Sequence, residues 1–272
     1  MRRSKLLWAL LSLTALLLAA PAARAQDGGQ NYPLAYVDRP LTLPSITLSP
    51  DVSFDATQIV QDPSAVEKTL QTNLAFSGGF GFGITDDLEL RASIGTIQFA
   101  PAFNYLEPRL GATYRFVGAD QFNMGIHASA TVLTLAGAGG VRFEAAVPLL
   151  IRLGSSARLD LAPGAPVTFQ ENKATTFGLN VPVAFAFQIV EPIHIGARTS
   201  AMITDFNAPG ENLVIPLGFF VGISLGSERP IVELDPYFTW TEFATPGRKL
   251  DNDKVSIEKF SAGLTARLYL YL

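Results

Sequence analysis

The residues best suited to chemistry are charged side chains that fall on one face of a series of predicted strands. When strand phases are assigned from the alternation of apolar residues, this face carries eight arginines, seven acids and no lysine. Arginine forms planar, bidentate pairs with carboxylates, whereas lysine is a mobile and strongly hydrated charge. The set favours a cross-strand ion-pair network, and the second interpretation is a narrow passage whose wall charges set selectivity. The residues are Asp51, Asp55, Glu89, Arg91, Arg109, Arg115, Arg142, Glu144, Arg152, Arg158, Asp160, Arg198, Glu233, Asp235 and Arg267.

Two histidines, His127 and His194, fall on the same face without completing a metal site. They lie on different predicted strands, and the chain has no cysteine that could act as a further ligand. We therefore expect wall or network residues, with no metal and no other cofactor. His127 and Ser129 share a face, as a catalytic base and its nucleophile must, but no third partner is evident. No catalytic residue is assigned.

The predicted strands that position these side chains show an alternation of apolar and polar residues, with a period of two, from about Ser45 to Leu272. Between positions 70 and 84, every second residue is apolar or small, and the residues between them are polar or tiny. Side chains of a strand alternate between faces, so each strand has one apolar face and one polar or crowded face. A soluble sandwich would bury the apolar face, whereas a transmembrane barrel turns it toward lipid and keeps the polar face inside.

The alternation divides into twelve predicted strands, and the connections between them alternate in length. Those after even strands, such as 85–87 and 119–120, are short, and those after odd strands, such as 59–68 and 245–255, tend to be long. Short periplasmic turns, long outer loops and an even strand count are typical of bacterial outer-membrane barrels. Ten or fourteen strands stay open as alternatives. The predicted strands are 45–58, 69–84, 88–99, 109–118, 121–134, 141–153, 157–168, 175–190, 193–204, 213–225, 231–244 and 256–272.

Prolines mark places where these strands should be irregular, because proline lacks the backbone donor that strand pairing uses. The seventh strand is the weakest, since Pro163 and Pro166 interrupt it. Three glycines, Gly79, Gly81 and Gly83, form a smooth inner stripe that we expect to give room for arginine side chains or for curvature. Bulges or bends are also expected at Pro148, Pro182, Pro216 and Pro236.

Aromatic residues on the apolar face fall in two groups, one near each end of the strands. Two such girdles, with aliphatic residues between them, are characteristic of barrels whose ends meet the membrane–water interfaces. The alternative is that these rings fill a soluble core. Phe80, Phe82, Phe116, Phe122, Phe185 and Phe187 lie near the short turns, and Phe143, Phe177 and Trp240 lie near the long loops.

The first 25 residues have the pattern of a secretory signal. Three basic residues precede an apolar run, and Ala23-Arg24-Ala25 matches a cleavage site that would make Gln26 the mature N-terminus. We therefore predict a signal peptide at 1–25, a short leader at 26–44 and the barrel at 45–272. The mature chain would carry 16 Lys and Arg against 24 Asp and Glu, near −8, and shows no basic patch for nucleic acid.

Three stretches carry a resemblance to a known class of protein. Residues 39–44 (RPLTLP), the predicted hairpin 83–91 (GITDDLELR) and the terminal strand resemble bacterial outer-membrane β-barrels. The first two are similar to porin or transporter barrels grouped with aromatic-degradation pathways. This resemblance implies uptake of small hydrophobic compounds, and it carries over no binding residue. The chain departs from the class at Leu272, where an aromatic residue usually ends the final strand.

Together these patterns predict an integral outer-membrane β-barrel of a diderm bacterium, acting as a narrow porin or small-molecule transporter. The first alternative is a structural barrel whose lumen is filled by arginine and carboxylate, and the second is an outer-membrane hydrolase. The expected partners are outer-membrane lipid, the barrel-assembly machinery and a small hydrophobic or polar solute.

Overall fold

The structure is a computed structural model that describes residues 32–60, 70–133, 139–171, 173–207, 212–245 and 259–272. It confirms a closed, all-antiparallel barrel of twelve strands, five of which are divided into two segments. The predicted signal peptide and its cleavage site after Ala25 lie outside the described residues. Most residues of the predicted connections at 59–68 and 245–255 also lie outside them. In the described part of the chain, no helix is long and apolar enough to cross a membrane.

The strand bounds lie within a few residues of those predicted at most ends. The fourth strand differs most, because an extra segment at 104–106 pairs with the third strand ahead of the predicted start. The strands are β1 (Thr47–Val60), β2 (Leu70–Thr85), β3 (Leu88–Ala100), β4 (Asn104–Leu106 and Arg109–Gly118), β5 (Phe122–Leu133), β6 (Gly140–Ala146 and Leu149–Leu153), β7 (Ala157–Leu161 and Gly164–Gln170), β8 (Thr176–Phe177 and Leu179–Val190), β9 (Ile193–Ile203), β10 (Leu213–Gly226), β11 (Pro230–Ala244) and β12 (Phe260–Leu268 and Leu270–Tyr271).

Closure occurs between the first and last strands. Asp51 of β1 lies opposite Gly79 of β2 on one side and opposite Arg267 of β12 on the other. At the very end of the chain, the Leu272 N–H donates to the Ile46 carbonyl at 3.0 Å. A closed barrel leaves no strand edge with unpaired backbone groups, which is what a lipid environment requires.

The prolines disturb the barrel to different extents at the expected positions. β6 is divided at Pro148, β7 is divided at Pro163, and the β10–β11 register shifts beside Pro216. Pro182 and Pro236 lie in continuous strands and pair in register with Ser200 and Leu264 on one side. On the other side the pairing is interrupted, because Pro182 has no partner in β7 and Pro236 has none in β10. Pro182 lies opposite the break in β7, where its carbonyl accepts the Ala162 N–H at 3.1 Å.

The outer face of the barrel is apolar and exposed. Phe54, Phe80, Phe185, Phe219 and Leu264 all project away from the lumen with large exposed fractions. Soluble monomers rarely expose such a continuous apolar surface. The surface has the character of a lipid-facing wall, and the polar side chains that alternate with it point into the barrel.

The leader enters the lumen at the end of the barrel that carries the short turns, which we call the short-turn end. Its described part, from Tyr32, forms a short 3-10 helix at Tyr36–Asp38, and Val37 is fully buried. Tyr32 and Leu43 pack against Tyr269 of β12 in a small apolar core. The lumen at this end is therefore occupied by the chain's own N-terminal segment.

The glycines of β2 make this arrangement possible. A Cβ at Gly83 would overlap the Pro44 carbonyl, and one at Gly81 would lie 2.9 Å from Leu43 Cδ1. We expected the inner glycine stripe to give room for arginines or curvature. At Gly81 the space is shared by Leu43 of the leader and by Arg91, whose Nη2 would lie 3.4 Å from a Cβ there. At Gly83 it is filled by the leader backbone, which approaches the strand too closely for any other residue.

Candidate functional site

The leader is held by a buried ion pair at the short-turn end. The guanidinium of Arg39 pairs with the Glu233 carboxylate of β11, and their side chains are only 2% and 1% exposed. Arg39 also donates to Ser224 Oγ at 2.6 Å and to the Leu34 carbonyl at 3.0 Å. Burial by itself would lower the pKa of Arg39, but the neighbouring Glu233 carboxylate raises it above its ordinary value. Arg39 therefore stays charged and fixed.

The other side of this pair is supported from β12. The Tyr269 hydroxyl donates to Glu233 Oε2 at 3.0 Å, and Arg267 Nη1 lies 3.5 Å from Glu233 Oε1. A buried ion pair is stable only when its remaining donors and acceptors are also satisfied. Here the carboxylate has three partners from two elements. We call Arg39, Ser224, Glu233, Arg267 and Tyr269 the leader clamp.

Two arginines of the β6–β7 hairpin bind the leader backbone. Arg152 donates to the carbonyls of Val37 at 3.0 Å and Asp38 at 2.7 Å. Arg158 donates to the carbonyls of Tyr36 and Arg39, both at 3.1 Å. These bonds satisfy carbonyls that a buried loop would otherwise leave unpaired.

The ring of Tyr36 fixes the leader against the wall. It stacks on His194 at 4.1 Å between ring centroids, and the Arg158 guanidinium lies 4.6 Å from its centre. Burial raises the pKa of Tyr36 to about 12 despite the opposing charge of Arg158. His194 is thus a buried packing partner of the leader.

The opposite wall binds the leader through the β2–β3 hairpin. The Leu43 N–H donates to Glu89 Oε2 at 3.0 Å, and Thr42 Oγ1 donates to the Asp86 carbonyl at 2.6 Å. The N–H of Ser45, which follows the leader, donates to Asp86 Oδ1 at 2.8 Å. The two motifs on which the sequence resemblance rested are therefore bonded to each other.

The lumen beyond the leader, toward the long loops, contains a polar cavity of about 520 Å³ along β2–β6. Arg91, Arg109 and Arg142 point into it with side chains 45%, 43% and 38% exposed. Arg109 pairs with Glu144 at 3.1 Å, whereas Arg142 lies 3.8 Å from Glu107. These looser, solvated pairs leave donors available to a solute.

A second cavity, of about 400 Å³, lies along β6–β11 directly on the leader. We call it the apolar cavity, because its lining is mainly apolar, with few polar atoms. Leu41 of the leader contributes to it together with Pro148, Pro182 and Pro216. Arg198 of β9 lies at this cavity and donates from Nη2 to Thr239 Oγ1 at 3.0 Å.

Fourteen of the fifteen charged residues predicted on the inner face fall in three groups, and the fifteenth, Arg115, pairs with Asp87 at 2.7 Å. Glu89, Arg152, Arg158, Asp160, Glu233 and Arg267 bind or support the leader, and Asp160 also reaches the apolar cavity. Asp51, Arg91, Arg109, Arg142 and Glu144 belong to or adjoin the polar cavity. Asp55 and Asp235 each act electrostatically on Arg198, which lines the apolar cavity.

Sequence reasoning missed the functional residues of the leader itself. Arg39, Tyr36 and Leu41 were part of a segment with no strand periodicity, so the alternation argument did not reach them. The available signal was a single basic residue, Arg39, in an apolar, proline-containing stretch just before the first strand. Arg39 was visible as a motif residue, but the motif alone did not indicate a partner.

The histidine and serine considered for hydrolysis are used otherwise. His127 Nδ1 is hydrogen-bonded to Thr113 Oγ1 at 2.9 Å, and Ser129 Oγ accepts from Arg109 at 2.8 Å. Within the described ranges, no hydrogen bond joins His127 to Ser129. No group of three or more His, Asp or Glu with metal-binding geometry occurs in the part of the chain that the structure describes.

Comparisons with known proteins give fold relatives and no sequence relatives. No protein-family model and no curated protein sequence matches the chain. Among solved structures, the chain is similar to the NanC porin, with a TM-score of 0.57, 9% identity, and coverage of 81% of this chain and 100% of the porin. It is similar to the KdgM porin at 0.53, with 8% identity and coverage of 81% and 98%.

A third relative covers more of the chain. An outer membrane channel from Pseudomonas putida F1 gives a TM-score of 0.56 at 12% identity, covering 90% of this chain and all of the channel. Identities this low show a shared fold alone. The chain has the barrel fold of outer-membrane porins and channels.

Proposed function

We propose that this chain is an outer-membrane transporter for small molecules, open toward the long loops and closed at the short-turn end by its own leader. The observation that carries the proposal is the contrast along the lumen. Two cavities, of about 520 and 400 Å³, lie beyond a leader that is bound by side chains from both walls. Cavities of this size accommodate small organic solutes.

In this proposal the protein is exported with cleavage after Ala25, assembled by the barrel-assembly machinery and embedded in the outer membrane of a diderm bacterium. The exposed apolar wall supports the lipid environment. The long loops face outward, so a solute reaches the cavities from outside. Passage into the periplasm requires the leader to shift, because the clamp and the arginines of β6–β7 hold it across the lumen.

The test is planar-bilayer recording of the purified mature chain, residues 26–272, beside a variant that lacks residues 27–44. Small or infrequent conductance steps are expected from the mature chain, and larger steps are expected once the leader is removed. Lys173→Ala, in a long loop, serves as the matched control and should behave as the mature chain does.

A structural barrel is the second candidate, and the buried Arg39–Glu233 pair that holds the leader across the lumen is the observation that favours it. The same recordings separate the two. If neither the mature chain nor the leader deletion gives conductance steps, while both migrate as folded barrels, the transport proposal is wrong and the structural role is favoured.

A further inference from the structure

Arg198 differs from every other inward-facing arginine of the described chain. Six of the others, such as Arg109 and Arg158, form ion pairs with carboxylates, and Arg152 is bound by backbone carbonyls. Within the described residues, no carboxylate lies within 4.0 Å of the Arg198 guanidinium. Its contacts there are Thr239 Oγ1 at 3.0 Å and the Tyr237 ring at 4.6 Å.

The position of Arg198 is prepared by small residues on both neighbouring strands. It pairs with Ala184 of β8 and with Gly218 of β10. A Cβ at Gly218 would lie 2.5 Å from Thr239 Oγ1 and 3.1 Å from Arg198 Cγ. Glycine therefore lets the side chain lie flat across β10 and reach β11, where Thr239 and Tyr237 fix its plane.

The surroundings of this guanidinium are apolar on the cavity side. Leu41, Pro148, Ala162, Pro182 and Pro216 line the cavity with Arg198, and the one carboxylate that also reaches it, Asp160, is paired with Arg158. Ligand pockets typically combine such an apolar lining with a few placed polar groups that fix orientation. An arginine presents a planar fork of donors that matches a carboxylate in bidentate geometry.

Two acids set the charge that a ligand can carry. Asp55 and Asp235 act on the Arg198 charge from beyond ion-pairing distance. Asp235 is itself acted on by the Glu233 carboxylate and by the Arg267 guanidinium, whose charges oppose each other. Contact with Arg198 favours one carboxylate on a ligand, whereas a second negative charge would have no arginine of its own and would add to the acidic charge already around the site.

We propose that Arg198 and the apolar cavity form a binding site for a small monocarboxylate with a compact apolar body. The carboxylate is bonded by the guanidinium, and the apolar body is held against Leu41 and the three prolines. This inference rests on the proposed transport function and names its substrate class. Because Leu41 belongs to the leader, a bound ligand would contact the segment that closes the short-turn end.

The test measures ligand binding to the folded mature protein in detergent. Saturation-transfer NMR detects the binding and does not depend on conduction. Cyclohexanecarboxylate is the probe. Its amide has the same shape without charge, cyclohexane-1,4-dicarboxylate adds a second charge, and acetate lacks the apolar body. We expect saturable binding of the probe and at least about tenfold weaker binding of the other three, as loss of a charged bidentate bond or of apolar burial predicts.

Variants of single arginines test whether the probe binds at Arg198. Arg198→Gln keeps a donor for Thr239 and removes the charge and the fork, so binding should fall about tenfold or more, with partial rescue in Arg198→Lys. Arg229→Gln removes a positive charge at a short turn, away from both cavities, and should bind as the unmodified protein does. Heat-modifiable migration on a gel checks that each variant is folded.

The inference is overturned if Arg198→Gln binds the probe as well as the unmodified protein does, if the amide binds equally, or if no saturable binding occurs. These outcomes are distinct from failure of the transport proposal, because conductance is measured separately. Absent conductance with Arg198-dependent binding would leave a binding barrel. Conductance without such binding would leave a transporter for another class of solute.

Discussion

The two halves of the lumen use the same residue types for opposite purposes. At the short-turn end, Arg39 and Glu233 are almost completely buried, and Ser224 and Tyr269 add hydrogen bonds to the pair. Beyond the leader, Arg91, Arg109 and Arg142 keep more than a third of their side-chain surface exposed. An arginine–carboxylate pair thus fixes a segment when it is dry and stays available to a solute when it is wet.

The difference depends on the neighbours of the charges. The clamp is dry because the leader fills the space that water would otherwise occupy, with Tyr32, Val37 and Leu43 buried beside it. The long-loop half has no comparable segment within the described residues, so its wall charges face an open cavity. The lumen is lined throughout by arginine and carboxylate, but these groups are buried at the short-turn end and solvated in the long-loop half.

The largest effect is expected from a variant that disrupts the buried leader clamp at the short-turn end. Glu233→Ala leaves Arg39 buried and unpaired, so it should lower the free energy of unfolding by about 3–5 kcal/mol or release the leader from the lumen. Glu144→Ala, in the wet half, should cost less than about 1 kcal/mol. Urea titration of the refolded barrel, with limited proteolysis of the leader, measures both. Equal costs would mean that the halves do not differ as described.

The next effect tests the wall that encloses the two halves. Val183 projects toward lipid and Ala184 toward Arg198, as their strand partners show. Val183→Arg should cost about 2–4 kcal/mol near the bilayer midplane, and Ala184→Arg should cost less because the lumen is polar and partly open. The yield of folded barrel in lipid vesicles gives the comparison. Similar losses for both variants would contradict the phase of β8.

A smaller effect concerns the fit of the leader against β2. Gly83→Ala places a methyl group where the Pro44 carbonyl lies, so the leader must shift, at a cost of about 1–3 kcal/mol. The matched control is Gly139→Ala, where a Cβ would meet no atom within 4 Å. Protease cleavage of the leader should become faster in the first variant alone. Unchanged cleavage in Gly83→Ala would show that the leader is not seated against this strand.

The smallest effect concerns ion selectivity in the long-loop half of the lumen, which contains the polar cavity. Arg142→Gln removes one exposed positive charge, so the channel should favour cations about twofold to fivefold more, since one charge in water is worth ~1 kcal/mol at 4 Å. Stability should change by less than about 0.5 kcal/mol. Reversal potentials in a salt gradient measure the shift. Arg229→Gln, at a short turn on the other end, should leave the potential unchanged if the selective charges lie in the polar cavity.

Much of the barrel could be predicted from the sequence, because alternation is a local property repeated along the chain. The phase that sets Val183 outward and Ala184 inward follows from side-chain direction in a strand, and it is seen in the structure. Strand count followed from connection lengths. The effect of each proline was predicted only in part, since Pro236 pairs in register with Leu264 on one side and has no partner in β10 on the other.

The sequence predicted which charged residues point inward. It did not predict which of them bind the leader and which line a cavity. Glu89, Arg158 and Glu233 are identical in type and phase to Arg91 and Glu144, yet they bind the leader rather than line the polar cavity. Arg198 looked like any other wall arginine. Its lack of a carboxylate partner in the described chain depends on Ala184, Gly218 and Thr239 on three other strands.

The sequence by itself determined the strand order, the two faces and the apolar wall, because each is encoded by a period of two in neighbouring residues. Only the tertiary structure decided that the leader lies inside the barrel. Arg39 and Glu233 are 194 positions apart, and no local pattern in the leader specifies that pairing. The pairing arises because closure of twelve strands brings β11, β12 and the β2–β3 hairpin around one space, which the leader then fills.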